Sequence, residues 1–411
     1  MEKSKNNAAL KAGIWYTISA IAVRAINIIT TPIFTRMMST GDYGLAQTFT
    51  SWSTLLMVFC SLNLIYSIGR AKLDFPGELD RYVGSMQMLA LTASVIVSGL
   101  MLLFINPVSK FMEMNNNLVI LLCIHLLFYP TIPLWQNKFK YQYKYKGNIA
   151  ITAYITIASV LVTLALMFQF ETDRYYPKVL GTVITGGILS GAFWIHSIRR
   201  KNICINTKYW RYGLKISVPL ILHTLSLNVL SQSDRVMISK YVGTEATGIY
   251  SLAYNYAILI NIILNAANDA WLPWFHDNLF AGEKEAIRER VKPLVILGVM
   301  MGIGCIALAP EAIYILGPEA YQDGKWVVGP VVLGVICQFI YQQYVHIELH
   351  QKQTQYISMG TIIAAGLNII LNFIFIPMFG YMAAAYTTMV CYFVLMFVHL
   401  FITKKILHFD L

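Results

Sequence analysis

Apolar stretches of about twenty residues recur along the whole chain, separated by short polar connections. A helix of that length rises about 30 Å, the depth of a hydrocarbon core. The first half contains Ala12–Phe34, Leu45–Gly69, Tyr82–Asn106, Leu118–Trp135, Asn148–Phe170 and Val179–Ile198. The second contains Tyr212–Ser231, Gly248–Trp271, Leu294–Leu316, Trp326–Leu349, Tyr356–Met378 and Tyr381–Thr403. No connection exceeds about twenty residues, too short for a soluble domain. The pattern predicts an all-α polytopic membrane protein of about 12 transmembrane helices. Its first apolar run extends past signal-peptide length without a small-residue cleavage site and reads as a retained span.

Composition narrows the class. Of 411 residues, 57% are hydrophobic and 12% charged, against about 25% charged in soluble domains. This excludes a disordered chain, a nucleic-acid-binding protein and an ordinary cytosolic enzyme. The net charge of +11 matters through its placement, because cytoplasmic loops retain Lys and Arg. With the N-terminus inside, the inner segments hold 22 of the 31 basic residues and the outer segments seven. Lys3, Lys5, Lys11, the Lys138–Lys146 run and Lys404–Lys405 are among the inner ones. Both termini are therefore expected to be cytoplasmic. Cys60, Cys123, Cys305, Cys337 and Cys391 lie in apolar spans and Cys204 in a basic loop, with no disulfide framework.

The chain reads as a duplication. A slide of 204 residues brings Arg36, Thr40 and Gly44 onto Lys240, Thr244 and Gly248. In both halves this stretch leads out of the first span and into the second. Six spans per half give equal orientation, hence a parallel pseudo-repeat: a lobe over 1–198, a basic cytoplasmic linker over 199–211 and a lobe over 212–411. Two such bundles around a midplane site are a transporter design.

Specific residues then point to a family. Arg24, Pro32, Phe34-Thr35-Arg36, Ser39 and Tyr43-Gly44 resemble the opening of Wzx-type polysaccharide and O-antigen flippases of the MOP superfamily. Pro219, Asp234-Arg235 and Gly248-Ile249-Tyr250 fit the seventh span and its exit. Asn368, Asn372, Ile376-Pro377, Gly380, Ala383-Ala384-Ala385 and Thr387 fit the last two spans. The resemblance implies a MATE-like fold and the movement of a polyprenyl-diphosphate-linked oligosaccharide, for O-antigen, capsule or exopolysaccharide, to the outer leaflet of the bacterial cytoplasmic membrane. The implied partners are that lipid-linked cargo, membrane lipids and polysaccharide polymerase machinery, without nucleic acid.

Arg24 stands in the middle of the first span, where a charge faces a bundle interior or a wet cavity. Its guanidinium suits a lipid diphosphate. Lys215 reads equally as a cavity cation or a side chain snorkelling to the inner interface. Arg36, Arg235 and Lys240, near the outer ends of the first and seventh spans, are candidates for the diphosphate or for phospholipid headgroups. Asp269, Glu311 and Glu348 are candidates for coupling to H+ or Na+, although each also reads as a helix-end group. No other cofactor is implied. His346 and His350 share a helix face while Glu348 points away, so no metal site is expected.

Asn27, Asn63, Asn228, Asn255, Asn261, Asn265, Asn368 and Asn372 read as inter-helix hydrogen-bonding groups. Gly187/Gly191 and Gly298/Gly302 read as close-packing pairs. Pro130 and Pro133 should bend the fourth span. Lys138–Lys146, with interleaved aromatics, reads as an inner-leaflet anchor, and Glu283–Lys292 as a short helix along the inner surface. Competing functions are a drug or peptidoglycan-precursor exporter and, in a different class, a membrane polymerase or glycosyltransferase. Short outer loops with few basic residues and no paired acidic motif argue against an enzyme.

Overall fold

The computed structural model describes residues 2–407 and, within the first helix, the side chains of Trp15, Ser19 and residues from Ala22 onward. Lys3, Lys5 and Lys11 lie outside the described side chains, and both chain ends lie outside the described residues. The helices are α1 (Glu2–Met37), α2 (Thr40–Ser61), α3 (Ile65–Asp74), α4 (Leu79–Leu103), α5 (Ile105–Met112), α6 (Asn116–Phe128), α7 (Thr131–Tyr141), α8 (Tyr145–Met167), α9 (Tyr175–Arg199), α10 (Thr207–Ser217), α11 (Ile221–Tyr241), α12 (Thr244–Ala257), α13 (Ile260–Ala281), α14 (Lys284–Ala307), α15 (Ala309–Leu316), α16 (Lys325–His350), α17 (Thr354–Phe379) and α18 (Tyr381–Phe401). A 3₁₀ turn covers Val218–Leu220, and a π-turn follows α18 over Ile402–Ile406.

Among the described residues, eleven helical stretches are long and apolar enough to cross a membrane. The 36-residue α1 contains the first expected span. Several crossings are broken helices: α2–α3, α6–α7, α10–α11 and α12–α13 each count as one. The fourth expected span does bend at its prolines, where α6 gives way to α7 at Tyr129 and Pro130. In the second crossing, Leu62 and Asn63 take left-handed backbone angles (φ 47° and 54°) between α2 and α3. Asn tolerates that conformation. Its side chain also donates to the carbonyl of Leu220 at 3.2 Å, in the 3₁₀ break of the seventh crossing. One helix break thus donates a hydrogen bond to another.

The duplication is visible in the element boundaries. Adding 204 to the α1–α2 junction at Met37 and Thr40 gives Tyr241 and Thr244, the α11–α12 junction. The same shift carries α5 (Ile105–Met112) onto α15 (Ala309–Leu316).

The chain divides into two compact units, Met1–Leu225 and Ser226–Leu411. The division falls later than the expected 199–211 linker because that linker and α10 pack on the first unit. Tyr209 and Tyr212 enclose Phe75 edge-on, each with centroids 5.0 Å away. Tyr209 donates to Glu78, Tyr212 to Asp74 at 2.7 Å, and Trp210 Nε1 to the Ser85 carbonyl at 3.1 Å. Leu64, Ile68, Tyr82, Met86 and Leu134 form the core beneath them. In the second unit α16 is central, packing on α12, α13, α14 and α18. Ala364 and Ala365 of α17 and Cys391 and Leu395 of α18 share a core with Leu230 and Tyr341. Such small side chains let helices approach closely.

Several expectations change. The seventh span does not stop at Ser231: α11 runs to Tyr241, since its polar residues find buried partners. Lys138 is no interfacial anchor; it is buried, 2.9 Å from Asp80 and over the Trp135 ring at 3.9 Å. Residues 284–292 are the first turns of the crossing helix α14, not a separate surface helix. A Cβ added at Gly187 or Gly191 would meet nothing within 4 Å among the described residues, so that pair is not packed closely. Gly302 is, with a Cβ 2.4 Å from Ile336.

Gly84 brings α4 against the linker: a Cβ there would lie 2.2 Å from the Asn202 carbonyl oxygen. Backbone cannot move aside as a side chain can. Gly84→Ala should therefore lower the thermal midpoint of the solubilised protein by about 2–10 °C, from overpacking of about 1–3 kcal/mol. Gly99→Ala, on the same helix with nothing within 4 Å, should leave the midpoint unchanged or slightly raised. Equal melting of the two variants would contradict this docking.

Candidate functional site

The second unit contains a fully buried polar cluster built from four helices, α11, α12, α17 and α18. On α11, Ser233, Asp234 and Arg235 are consecutive. On α17, Asn368 and Asn372 lie one turn apart, and on α18, Thr387 and Thr388 face them. Asp234 is 1% exposed. Its Oδ2 accepts from the Tyr250 hydroxyl at 2.5 Å and from Thr388 at 2.8 Å, while Oδ1 accepts from Asn372 Nδ2 at 2.7 Å. Asn368 ties the cluster together, accepting from Ser233 at 2.7 Å and donating to Thr388 at 3.1 Å. Thr387 donates to the side-chain oxygen Oδ1 of Asn372. Asn368 and Asn372 thus have the inter-helix role expected of them.

Arg235 is buried beside this cluster and gives its donors elsewhere. They reach the Ser231 carbonyl at 2.9 Å, Gln232 at 3.3 Å and Asn255 at 3.1 Å, with the guanidinium 4.6 Å from the Tyr254 ring centroid. The carboxylate of Asp234 is therefore held by neutral donors. Three such hydrogen bonds stabilise an anion in an otherwise dry interior, and the surrounding amide and hydroxyl oxygens are ligands of the type hard cations take.

A second buried acid lies between α16 and α18. Glu348 Oε1 is 2.8 Å from His399 Nδ1, and both residues are wholly buried. The imidazole stacks on Tyr341 at 5.4 Å, and Gly360 of α17 leaves room for it: a Cβ there would lie 3.1 Å from Nε2. The remaining Glu348 oxygen and His399 Nε2 make no hydrogen bond among the described residues. As expected, His346 is on the other side, with Nε2 3.2 Å from Asn268 Oδ1.

The other expected residues are dispersed. Arg24 is exposed on α1, which packs on α8. Arg36 is exposed in the last turn of α1 and donates to the Pro32 carbonyl at 3.1 Å. Lys240 is exposed near the end of α11, 5.9 Å from the Tyr241 ring. Lys215 lies on α10 and lines an open cleft of about 700 Å³ with Trp210, Arg211 and Leu214. Asp269 and Glu311 are exposed, on α13 and α15. The structure brings Glu348 alone of the three candidate acids into a buried site.

Two cations not singled out in the sequence join Arg36 around the last turns of α1. Lys178 stands 3.7 Å over the Phe34 ring, and Arg174 donates to the Met37 carbonyl and, at 3.2 Å, to that of Phe170. Lys178 immediately precedes the expected span Val179–Ile198, and a lysine at that edge was the available signal. For Asp234 the signal was the Asn368–Asn372 spacing, and for His399 an imidazole within the last apolar run.

The fold has known counterparts. The lipid II flippase MurJ in an inward closed conformation superposes with a TM-score of 0.71 at 16% identity, covering 95% of this chain and 88% of that one. An inward-facing multidrug resistance MATE family transporter of the MOP superfamily gives 0.67 at 13% identity, covering 93% and 96%. At these identities the likeness concerns the fold. In sequence, the chain is 24% identical over 132 residues to the Lsg locus putative protein 1 of Haemophilus influenzae, 30% of this chain and 32% of that protein. The match thus spans about a third of that relative's length. Residues 9–279, about two thirds of the chain, match a family described as polysaccharide biosynthesis protein. With twelve expected crossings, a MATE-like and MurJ-like fold and that match, the chain is a multi-pass membrane protein that belongs to the polysaccharide biosynthesis protein family.

Proposed function

We propose that the protein is a flippase carrying a polyprenyl-diphosphate-linked oligosaccharide from the inner to the outer leaflet of the bacterial cytoplasmic membrane, by alternating access of its halves. The observation that carries this reading is the combination of a polysaccharide biosynthesis family with the fold of a lipid II flippase and of multidrug transporters. Such a fold moves amphiphiles across a bilayer, and a polysaccharide family supplies an amphiphile with a sugar head. The protein then makes no covalent bond; its work is to pass a charged head through a low-dielectric layer while the prenyl tail stays in lipid.

Arg24 is the contact we assign to the diphosphate, because a guanidinium fork matches two phosphate oxygens. An anionic cargo also accords with a first span that carries an arginine and no acid. Lys215, with Arg211 and Trp210 on α10, suits the inner side of the path. Arg36, Arg174 and Lys178 around the end of α1, with Lys240 at the equivalent place in the repeat, suit the outer side. Arg235 is committed to its protein partners and supports the Asp234 cluster. For coupling to H+ or Na+ we assign Asp234 and Glu348, since exchange of a cation at a buried carboxylate changes the hydrogen bonding of several helices together. Asp269 and Glu311, being exposed, lack that leverage. Polysaccharide polymerase machinery is the expected recipient of the cargo.

A deletion strain of the source bacterium tests the function. Surface polysaccharide should be lost and complete lipid-linked repeat units should accumulate on the inner leaflet. Accumulation on the outer leaflet would instead assign the protein to polymerisation. Unchanged pools, with no second flippase present, would direct the search to drug or peptidoglycan-precursor export. In the complemented strain, Arg24→Ala should reduce surface polymer by about 10- to 100-fold at normal membrane abundance, the loss of one or two charge-assisted hydrogen bonds. Arg24→Lys should retain an intermediate level, because charge survives without the fork. Near-normal polymer in Arg24→Ala would remove this residue from the path.

Asp234→Asn preserves volume but replaces one acceptor oxygen with a donor. Translocation driven by an ion gradient in reconstituted vesicles should fall about tenfold or more, with the protein still monodisperse. Glu348→Gln should do the same if its carboxyl also exchanges a cation. Gradient-driven rates equal to wild type in both variants would place coupling elsewhere.

A further inference from the structure

Between the first turns of α14 and the last turns of α16 lies a cleft of about 340 Å³. Arg288 and Lys292 stand at it one helical turn apart, both exposed. Among the described residues neither makes an ion pair, although Glu285 and Glu289 occupy neighbouring positions on α14. Farther along the same helix the wall becomes apolar: Val295 and Ile296 face Ile340 of α16. Beyond the cleft the exposed surface of α14 stays apolar, with Leu297 51% and Met300 64% exposed. Cations at a helix start followed by apolar turns match the head-to-tail order of an anionic lipid.

Gln343 adds selectivity. It lines the cleft and is 1% exposed. Its amide nitrogen is occupied by two acceptors, Asn268 Oδ1 and the Phe339 carbonyl, both at 3.2 Å. Those partners fix the orientation of the amide, and its oxygen is left buried with no donor among the described residues. A buried acceptor without a partner is costly, so an occupant that brings a hydroxyl hydrogen is favoured. The volume holds about ten water-sized groups at roughly 30 Å³ each, enough for a phosphoglycerol head.

We infer that this cleft is a binding site for an anionic glycerophospholipid with a hydroxyl-bearing headgroup: Arg288 and Lys292 hold the phosphate, Gln343 accepts from the headgroup hydroxyl, and the acyl chain follows α14. The site is separate from the proposed cargo contacts and does not depend on the cargo's identity.

Native mass spectrometry of the purified full-length protein, titrated with single lipids, tests it without any transport readout. Phosphatidylglycerol should bind about 25-fold more tightly than phosphatidylcholine, since each of the two basic residues near an anionic headgroup contributes roughly fivefold. In Arg288→Ala/Lys292→Ala that preference should shrink to within about twofold, while Arg288→Lys/Lys292→Arg should keep it. The exchanged pair also serves if the alanine protein does not fold. Phosphatidylethanol, of equal charge but without a headgroup hydroxyl, should bind less tightly than phosphatidylglycerol to wild type and equally to Gln343→Met. An unchanged preference in the double alanine variant, or phosphatidylcholine bound as well as phosphatidylglycerol, would overturn the site. Displacement of phosphatidylglycerol by an equimolar polyprenyl diphosphate would overturn the assigned occupant and give the cleft to the cargo. Failure of the flippase reading would leave each of these results unaffected.

Discussion

A peptide group in hydrocarbon must find its hydrogen-bond partner within the protein, at a cost of several kcal/mol if it does not. That constraint accounts for the helical build of the chain, and the interruptions show how it is met when a helix breaks. At Leu62 and Asn63 the backbone turns left-handed, and the side chain of Asn63 reaches the carbonyl of Leu220. The second and seventh crossings therefore depend on each other at their weakest points. An apolar residue in place of Asn63 would satisfy lipid yet remove that hydrogen bond.

Side-chain polarity follows the same rule with higher stakes. In the second unit, Asp234 is enclosed by donors from α12, α17 and α18, and these are in turn fixed by Asn368, Ser233 and Thr387. Such networks stiffen one another in a low dielectric. Glu348 and His399 are different: they satisfy each other but leave an oxygen and a nitrogen without partners among the described residues. One site is complete and the other under-coordinated, within the same six-helix half. A buried group with spare bonding capacity is where a change of occupancy or proton has the least competition from existing contacts.

The crossings were legible because apolar length is a one-dimensional property that survives without knowledge of neighbours. The proline bend between α6 and α7 was legible for a similar reason, since proline acts on its own helix. Partnerships were not. Lys138 looks like any interfacial lysine until Asp80, 58 positions earlier, is found 2.9 Å away. Glu348 meets His399 across 51 positions, and nothing local to either residue announces the other. The seventh span was drawn too short because Ser231 to Arg235 are polar; only the tertiary structure shows the buried partners that Ser233, Asp234 and Arg235 find. Gly187 and Gly191 show the converse, a motif whose spacing implies a neighbour that does not stand within 4 Å of either Cβ position.

The repeat boundaries have a consequence for how such a chain can arise. The step of 204 residues carries α5 onto α15 and one hairpin junction onto another without a change in register. A half with an even number of crossings begins and ends on the same side of the bilayer. Two copies of its gene can therefore be fused tail to head through a short loop, with no added helix and no inversion. What the fusion requires beyond duplication is somewhere for the new loop to rest, and the aromatic seat around Phe75 provides it. The tyrosines of α10 are in that sense the seam of the doubled molecule.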